Sequence, residues 1–163
     1  MIDKRKAKGE KMKPLQTLII ETVEERYYKN TDFYLPLGFN SSTWNNFKQG
    51  ITDINNMKYE RVQAMLDTLF SYYEMHLFKK AELYGLGEAD PVLWHYRSLK
   101  RDAVRNLGDD LFIEVRTQTD EHKGLLIIRG DDPFIQLHFK PIHLPEGLTV
   151  DRNYILEHLD LLV

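Results

Sequence analysis

The spacing of the hydrophobic residues changes along the chain, from steps of three and four residues to strict alternation. As far as residue 107 the apolar positions recur with the period of an α-helix, and from 111 to 140 they alternate with polar positions as in β-strands. This pattern predicts an α+β fold with a three-stranded antiparallel sheet. The predicted helices span 14–29, 42–49, 57–83, 92–107 and 151–161, and the predicted strands span 111–118, 124–129 and 134–140.

Capping residues mark the starts of three of these helices. Ser41 or Ser42 is expected at the N-cap of the helix 42–49, Asp90 at that of 92–107, and Asp151 at the start of the last helix. A proline and a glycine between 31 and 39 leave room there for at most one helical turn. The apolar residues of 57–83 keep one helical repeat throughout, so the sequence predicts a single long helix in that range.

The composition divides the chain into a tail and two domains. Residues 1–13 are Lys-rich and are predicted to form a basic flexible tail. Residues 14–84 are predicted to form a helix-turn-helix-like helical domain and residues 91–163 an α+β domain. Each domain is near the size at which an isolated hydrophobic core is marginal, so we expect them to dock on each other, on a second copy, or on both.

The composition also excludes several classes of protein. The 163 residues have a net charge of −3 and contain no cysteine, which rules out disulfides and cysteine metal sites. A charge so near neutral argues against both a basic nucleic-acid coat and an acidic mimic of DNA. No apolar run reaches the length of a membrane span, so we expect a cytoplasmic protein with no membrane partner.

The sequence shows no set of residues typical of catalysis. Its six histidines have no metal-binding spacing, and no glycine-rich phosphate loop or serine nucleophile motif occurs. The acidic pairs Asp109–Asp110 and Asp131–Asp132 adjoin glycines and strands, as turn residues do. We therefore expect no enzyme activity, no metal and no cofactor.

The stretch SSTWNNFKQG, residues 41–50, has two different sides. Trp44 and Phe47 share one face and are expected to pack against the long helix. Amides of Asn and Gln pair with adenine edges in the major groove, so the other side is a candidate for DNA binding. Against this, only one basic residue occurs between 30 and 57, which gives few phosphate contacts. The candidate DNA-binding residues are Asn45, Asn46, Lys48 and Gln49.

Basic residues recur along the helix 92–107. Arg97, Arg101 and Arg105 are spaced by four, which stacks their guanidinium groups on one face, and Lys100 joins them. One interpretation is an ordinary solvated helix face. The other is a surface for an acidic protein or a phosphate backbone, to which arginine offers bidentate contacts. The candidate partner-binding residues are Arg97, Lys100, Arg101, Arg105 and Asn106.

The front half also carries a run of specific residues that no generic periodic pattern requires. They are TDFY at 31–34, RVQAMLD at 61–67, and Trp44, Phe47, Lys48, Gly50, Thr52, Asp53, Ile54, Met57, Leu69, Phe70, Lys80 and Ala81. Weaker matches follow at Gln136, Phe139, Lys140 and Arg152. This run resembles a family of anti-CRISPR proteins from phages of streptococci, which inhibit type II-A RNA-guided nucleases.

The resemblance implies both an architecture and a function. It implies a homodimer with a helix-turn-helix-like N-terminal domain and an α+β C-terminal domain. It further implies an inhibitor that binds a type II-A CRISPR nuclease in the cytoplasm of the infected bacterial host and blocks target DNA binding or cleavage allosterically. The alternative hypothesis is a phage helix-turn-helix transcriptional regulator that binds operator DNA, including that of its own operon.

Overall fold

The computed structural model describes residues 12–27, 29–84, 89–117, 123–143 and 150–162. These residues form eight α-helices, two short 3-10 turns and one three-stranded sheet, which confirms the predicted α+β class. The tail predicted at 1–13 lies outside the described residues apart from Met12 and Lys13. The division into two domains at residues 84–91 stays a prediction.

Six helices precede the sheet and two follow it. The first six are α1 (Pro14–Arg26), α2 (Thr31–Tyr34), α3 (Ser41–Lys48), α4 (Tyr59–Leu69), α5 (Tyr72–Tyr84) and α6 (Ala89–Leu107). The strands are β1 (Phe112–Thr117), β2 (Lys123–Arg129) and β3 (Gln136–His143), followed by α7 (Arg152–Glu157) and α8 (Leu159–Leu162). The strand bounds differ from the predicted ones by a few residues, and α2 is the one helical turn expected between 31 and 39.

The cap of α3 differs from the prediction, and its last residue, Lys48, is one residue before the predicted end. The cap is Asn40, whose Oδ1 accepts a hydrogen bond from the backbone N–H of Thr43 at 2.8 Å, so the prediction of Ser41 or Ser42 is wrong. An asparagine side chain serves here because its oxygen reaches one of the unpaired N–H groups of the first turn. Gly50 follows the helix with φ +77°, the left-handed conformation that glycine adopts without strain.

Three other helix ends also correct the sequence-based bounds. α1 stops at Arg26 instead of residue 29, because the next residue is extended. α6 begins at Ala89, so Asp90 lies inside the helix and is not its N-cap. The last predicted helix is two short ones that are separated by His158, whose backbone leaves the helical conformation.

The prediction of one helix over 57–83 is wrong, because the chain bends between α4 and α5. Phe70 is extended, with φ −123° and ψ 136°, and its side chain is buried. Ser71 and Glu74 then form a capping box: the Ser71 hydroxyl accepts from the Glu74 N–H at 3.1 Å, and Glu74 Oε1 accepts from the Ser71 N–H at 3.5 Å. The apolar repeat continues across this break, so spacing alone indicated one helix.

One hydrophobic core joins the helices to the sheet. Ile19 and Val23 of α1 are fully buried in the same cluster as Leu126 of β2. Trp44 and Phe47 are buried as predicted, with ring centroids 5.5 Å apart. Aromatic pairs at this separation add to the stabilisation from burial alone, so the apolar side of α3 belongs to the core.

The sheet is antiparallel with the order β1–β2–β3, as predicted. Ile113 pairs with Ile128, and Val115 with Leu126, which sets two of the half-buried positions of β1 beside fully buried positions of β2. The register of β2 and β3 shifts between Leu125 and Ile127, which marks an irregularity in that pairing. β1 and β3 are therefore the two edges of the sheet.

Side chains from the helices cover the β3 edge. The Ser71 hydroxyl donates to the carbonyl of Gln136, and the N–H of His138 donates to Glu74 Oε1 at 3.2 Å. The carbonyl of His138 accepts from Arg26 Nη2 at 3.1 Å and from the Lys100 ammonium. These bonds satisfy backbone groups that an edge strand would otherwise leave unpaired away from water.

We expect Ser71→Ala to lower the free energy of unfolding by about 1–2 kcal/mol. The hydroxyl caps α5 and also donates to the sheet edge, so its removal leaves two backbone groups without a partner. Urea denaturation measures the loss. Ser42→Ala is the matched control, because Ser42 is exposed and is not the cap of its helix. Equal stabilities of the two variants would contradict the role given to Ser71.

Candidate partner-binding surface

Arg97, the first of the predicted partner-binding residues, is held by α1. Its Nη2 lies 2.5 Å from Glu25 Oε1 and 3.3 Å from Glu21 Oε2. The two carboxylates and the guanidinium are about one-third exposed, so the ion pairs are partly shielded from solvent. Arg97 thus joins α6 to α1 within the same chain.

Lys100 does not share an exposed surface with the arginines. It is 5% exposed, and its Nζ lies 3.4 Å from Glu74 Oε2 and 4.5 Å from the ring centroid of Phe139. The four-residue repeat indicated that the basic residues of α6 form one face. The structure instead turns Lys100 inward, toward the β3 edge.

The last three predicted residues lie at the C-terminal end of α6. Arg105 and Asn106 are exposed, and Arg105 pairs with Asp102 of its own helix at 3.6 Å. Arg101 is more covered, with its Nε 3.5 Å from Asp160 of α8. The structure therefore brings the two arginines and Asn106 together at one end of the helix.

Lys100 belongs to a buried polar cluster, which we define as Arg26, Glu74, Tyr96, Lys100 and His138. The carboxylate of Glu74 lies at its centre and is fully buried. Glu74 Oε2 accepts from Arg26 Nη2 at 2.9 Å and from the Tyr96 hydroxyl at 2.6 Å, while its Oε1 lies 3.3 Å from His138 Nδ1. The cluster therefore links α1, α5, α6 and β3 through one negative charge.

Burial and the neighbouring charges act in opposite directions on Glu74. Burial alone would raise the pKa of Glu74, but the positive charges of Arg26 and Lys100, with smaller effects of His138 and the Tyr96 hydroxyl, lower it to about 2. Burial also lowers the pKa of Lys100 to about 8 and lowers that of His138. Glu74 is therefore ionised at every pH near neutrality, and its charge is balanced inside the protein.

We expect the free energy of unfolding to decrease as the pH falls from neutral to about 2. The unfolded chain binds protons more readily than the folded one at His138, and at Glu74 between its ordinary pKa of 4.5 and the folded value of about 2. The contribution of Glu74 is present above pH 4.5 and is lost below it, and it amounts to about 3 kcal/mol. Urea unfolding at a series of pH values tests this.

Glu74→Gln should remove the part of this dependence that lies between pH 4.5 and 2. At neutral pH it should also cost about 3 kcal/mol or more, because the buried charges of Arg26 and Lys100 lose their counter-ion. Glu82→Gln is the matched control, since Glu82 is exposed on the same helix. A Glu74 variant with the stability and pH profile of the control would contradict this account.

The candidate DNA-binding residues lie on the outer side of α3 and just beyond its end. Asn45, Asn46 and Gln49 are exposed, opposite the buried aromatic side chains of the same helix. Lys48 is about one-third exposed, and its Nζ lies 3.3 Å from Glu24 Oε1 of α1. The amides are thus presented to solvent, whereas the amine already has a carboxylate partner.

Sequence reasoning missed a group of exposed apolar side chains at the junction of α5 and α6. Trp94 is 60% exposed, Tyr84 61% and Leu83 80%. The ring of His95 lies beside two of them, 5.0 Å from Trp94 and 5.7 Å from Tyr84 between centroids. A helical wheel of α6 would have separated Trp94 from the buried residues, because the buried Val92 and Tyr96 lie on the other side of the helix.

Trp94, Arg101 and Arg105 share one side of α6, and we call these three residues the α6 stripe. Their spacing of seven and then four residues returns to nearly the same angle on a helix of 3.6 residues per turn. Eleven residues separate the first from the last, which spans about 16 Å at 1.5 Å per residue. An exposed indole and two guanidinium groups are therefore aligned along one helix.

Across the described ranges, no three His, Cys, Asp or Glu residues lie together in a way that could hold a metal ion. Among the helices that the structure describes, none is long and apolar enough to cross a lipid bilayer.

Comparison with known proteins identifies the front half of the chain. No curated protein matches the chain. Residues 10–90 match the family model described as anti-CRISPR type II subtype A6-like. The match covers the helices α1 to α5, and it includes every residue of the run between 31 and 81 on which the resemblance was based. Residues 10–90 of the chain belong to the anti-CRISPR type II subtype A6-like family.

Proposed function

We propose that this protein is a phage anti-CRISPR inhibitor that binds a type II-A RNA-guided nuclease of the bacterial host and blocks target DNA binding or cleavage. The family match over residues 10–90 is the observation that carries this proposal. Inhibition by direct contact requires no catalytic group and no cofactor. The protein would act in the cytoplasm of the infected cell, where the nuclease is found.

The mechanism we propose is allosteric. A nuclease of this class first reads a short motif in duplex DNA and then opens the duplex from that point. An inhibitor that binds one conformation of the nuclease more tightly than the others shifts the population toward it. If that conformation cannot open DNA, each later step stops without any contact with the catalytic centre.

The α6 stripe is the surface that we propose for nuclease binding. Tryptophan and arginine are the residues most enriched among those whose truncation costs binding energy at protein interfaces. Arg105 and Asn106 are exposed and Arg101 is partly so, whereas Arg97 and Lys100 are bound within the chain. In this proposal Arg97 and Lys100 position α6 against α1 and β3, and the stripe with Asn106 contacts the nuclease.

We further propose that the protein is a homodimer and that α3 and α4 form a helix-turn-helix-like pair. The short 3-10 turn Ile54–Asn56 lies between these two helices. A second copy would cover apolar side chains that a chain of 163 residues leaves at its surface. Both features are those implied by the family resemblance.

A second candidate function is regulation of transcription through operator DNA. The exposed amides of Asn45, Asn46 and Gln49 on the outer side of α3 favour it, because such amides read adenine edges. The ion pair of Lys48 with Glu24 disfavours it, since it occupies the basic residue nearest to those amides. DNA binding would require the basic residues of the N-terminal segment to supply phosphate contacts.

We expect Trp94→Ala and Arg105→Glu each to weaken binding to a susceptible type II-A nuclease by about thirtyfold, which corresponds to about 2 kcal/mol. Arg105 is a sharper test than Arg101, because Arg101 also contacts Asp160 of α8. Co-purification with a panel of streptococcal-type nucleases identifies the partner, and binding and DNA cleavage assays measure the loss.

The matched controls are Tyr59→Ala and Lys58→Glu, an exposed aromatic and an exposed basic residue at the start of α4. They should leave binding unchanged if α6 carries the contact. Failure of the wild-type protein to bind any nuclease of the panel would refute the inhibitor proposal. Binding that the α6 variants leave intact would refute the stripe alone.

Titration with duplex DNA separates the two candidate functions. A regulator should bind its own operon more tightly than random duplexes, and the affinity should fall steeply between about 50 and 200 mM salt as counter-ions are released. Replacing Asn45 and Asn46 by alanine should then abolish the preference for the operon sequence. If no duplex is preferred, the regulator hypothesis is wrong and the nuclease proposal is unaffected.

A further inference from the structure

The two edges of the sheet differ in how their backbone groups are satisfied. Side chains of α1, α5 and α6 cover β3, as described above. Along β1, residues 112–117 make no backbone hydrogen bond beyond the ladder with β2, within the part of the chain that the structure describes. No other described helix or strand packs along β1 to a comparable extent. Among the residues that the structure describes, β1 is therefore the open edge of the sheet.

Two of the features by which proteins block an edge strand, proline and a β-bulge, are absent from β1. The sequence FIEVRT does carry two charges, at Glu114 and Arg116, which oppose pairing only where no opposite charge faces them. Its residues are mostly β-branched, aromatic or otherwise compatible with strands. Phe112, at its first position, is 49% exposed. An edge of this kind is a template for pairing with a strand that presents complementary charges.

We propose that β1 pairs antiparallel with β1 of a second copy, so that two three-stranded sheets join into one six-stranded sheet. The proposal rests on the homodimer proposed above and identifies its interface. An antiparallel pair of identical strands has two-fold symmetry, which is the symmetry of the commonest oligomers. It also supplies main-chain partners to both open edges at once, which heterologous contacts would not do.

Charge selects one register for this pairing. When the two strands are centred on Val115, position 114 of one copy lies opposite position 116 of the other. The sequence has glutamate at 114 and arginine at 116, so each acidic position faces a basic one on both sides of the symmetry axis. Glu114 already interacts within its own chain, but a carboxylate can accept from more than one donor. No like charges face each other in this register.

The self-complementary register gives a test by charge reversal. Glu114→Arg alone would place two arginines opposite each other at each pair, and Arg116→Glu alone would place two glutamates opposite each other. Each single variant should weaken the dimer by about tenfold or more. The double variant E114R/R116E should dimerise like the wild type, because its pairs are opposite in sign again.

An equimolar mixture of the two single variants gives the most specific test of the strand pairing. One chain then carries arginine at both positions and the other carries glutamate at both, so both cross-strand pairs become attractive in a mixed dimer only. Sedimentation velocity and native mass spectrometry should show mixed dimers at concentrations where each variant alone is monomeric. Arg129→Glu, an exposed charge reversal on the central strand β2, is the matched control and should leave the dimer intact.

The outcomes separate this inference from the proposals on which it rests. A wild-type chain that is monomeric at high micromolar concentration would overturn both the homodimer and the strand pairing, and would leave nuclease inhibition to its own assay. A dimer that the single variants and their mixture leave unchanged would overturn the strand pairing alone. Circular dichroism of each variant excludes unfolding as the cause of a lost dimer.

Discussion

The ionised carboxylate of Glu74 is the constraint on which the rest of the structure depends. A charge taken out of water costs several kcal/mol unless its oxygens receive donors at good geometry. Here the donors come from α1, α6 and β3, and the carboxylate itself belongs to α5. Four elements that are distant in sequence must therefore meet at one point, which fixes how the helices stand against the sheet.

The same cluster crosses the limit of the family match. Arg26 and Glu74 lie within residues 10–90, whereas Tyr96, Lys100 and His138 lie beyond it. The sequence after residue 90 is therefore constrained, because it must supply hydrogen-bond donors to the buried carboxylate of Glu74. The outer side of α6 supplies no donor to Glu74, so this constraint does not apply there. The exposed Trp94 and Arg105 lie on that side.

Local patterns predicted the parts of the fold that local physics determines. The change of period separated helices from strands, and the burial of Trp44 and Phe47 followed from their spacing on α3. The break at Phe70 was missed because the apolar repeat runs through it, although the Ser71–Glu74 spacing is that of a capping box. That signal was present in the sequence and was outweighed by the longer repeat.

The inward position of Lys100 is a different case, since no local signal contains it. A basic residue on a helix is usually solvated. Lys100 is buried because its ammonium pairs with Glu74 and donates to the carbonyl of His138. Those partners lie 26 residues before it and 38 residues after it, so only the tertiary structure brings them together. For the candidate site, the sequence predicted the basic end of α6 and could not predict which of its cations face outward.

The long reach of the capping box to the sheet has a consequence for the order of events during synthesis. The N–H of His138, which donates to Glu74, lies 64 residues further along the chain, whereas the hydroxyl of Tyr96 lies 22 residues away. At roughly 5–20 residues per second, a ribosome needs roughly 3–13 s to deliver the more distant partner. Until then the Glu74 carboxylate lacks its donor from β3, and we expect water to solvate it. When β3 is added, His138 supplies this donor. The last strand of the sheet therefore also completes the buried polar cluster between the helices.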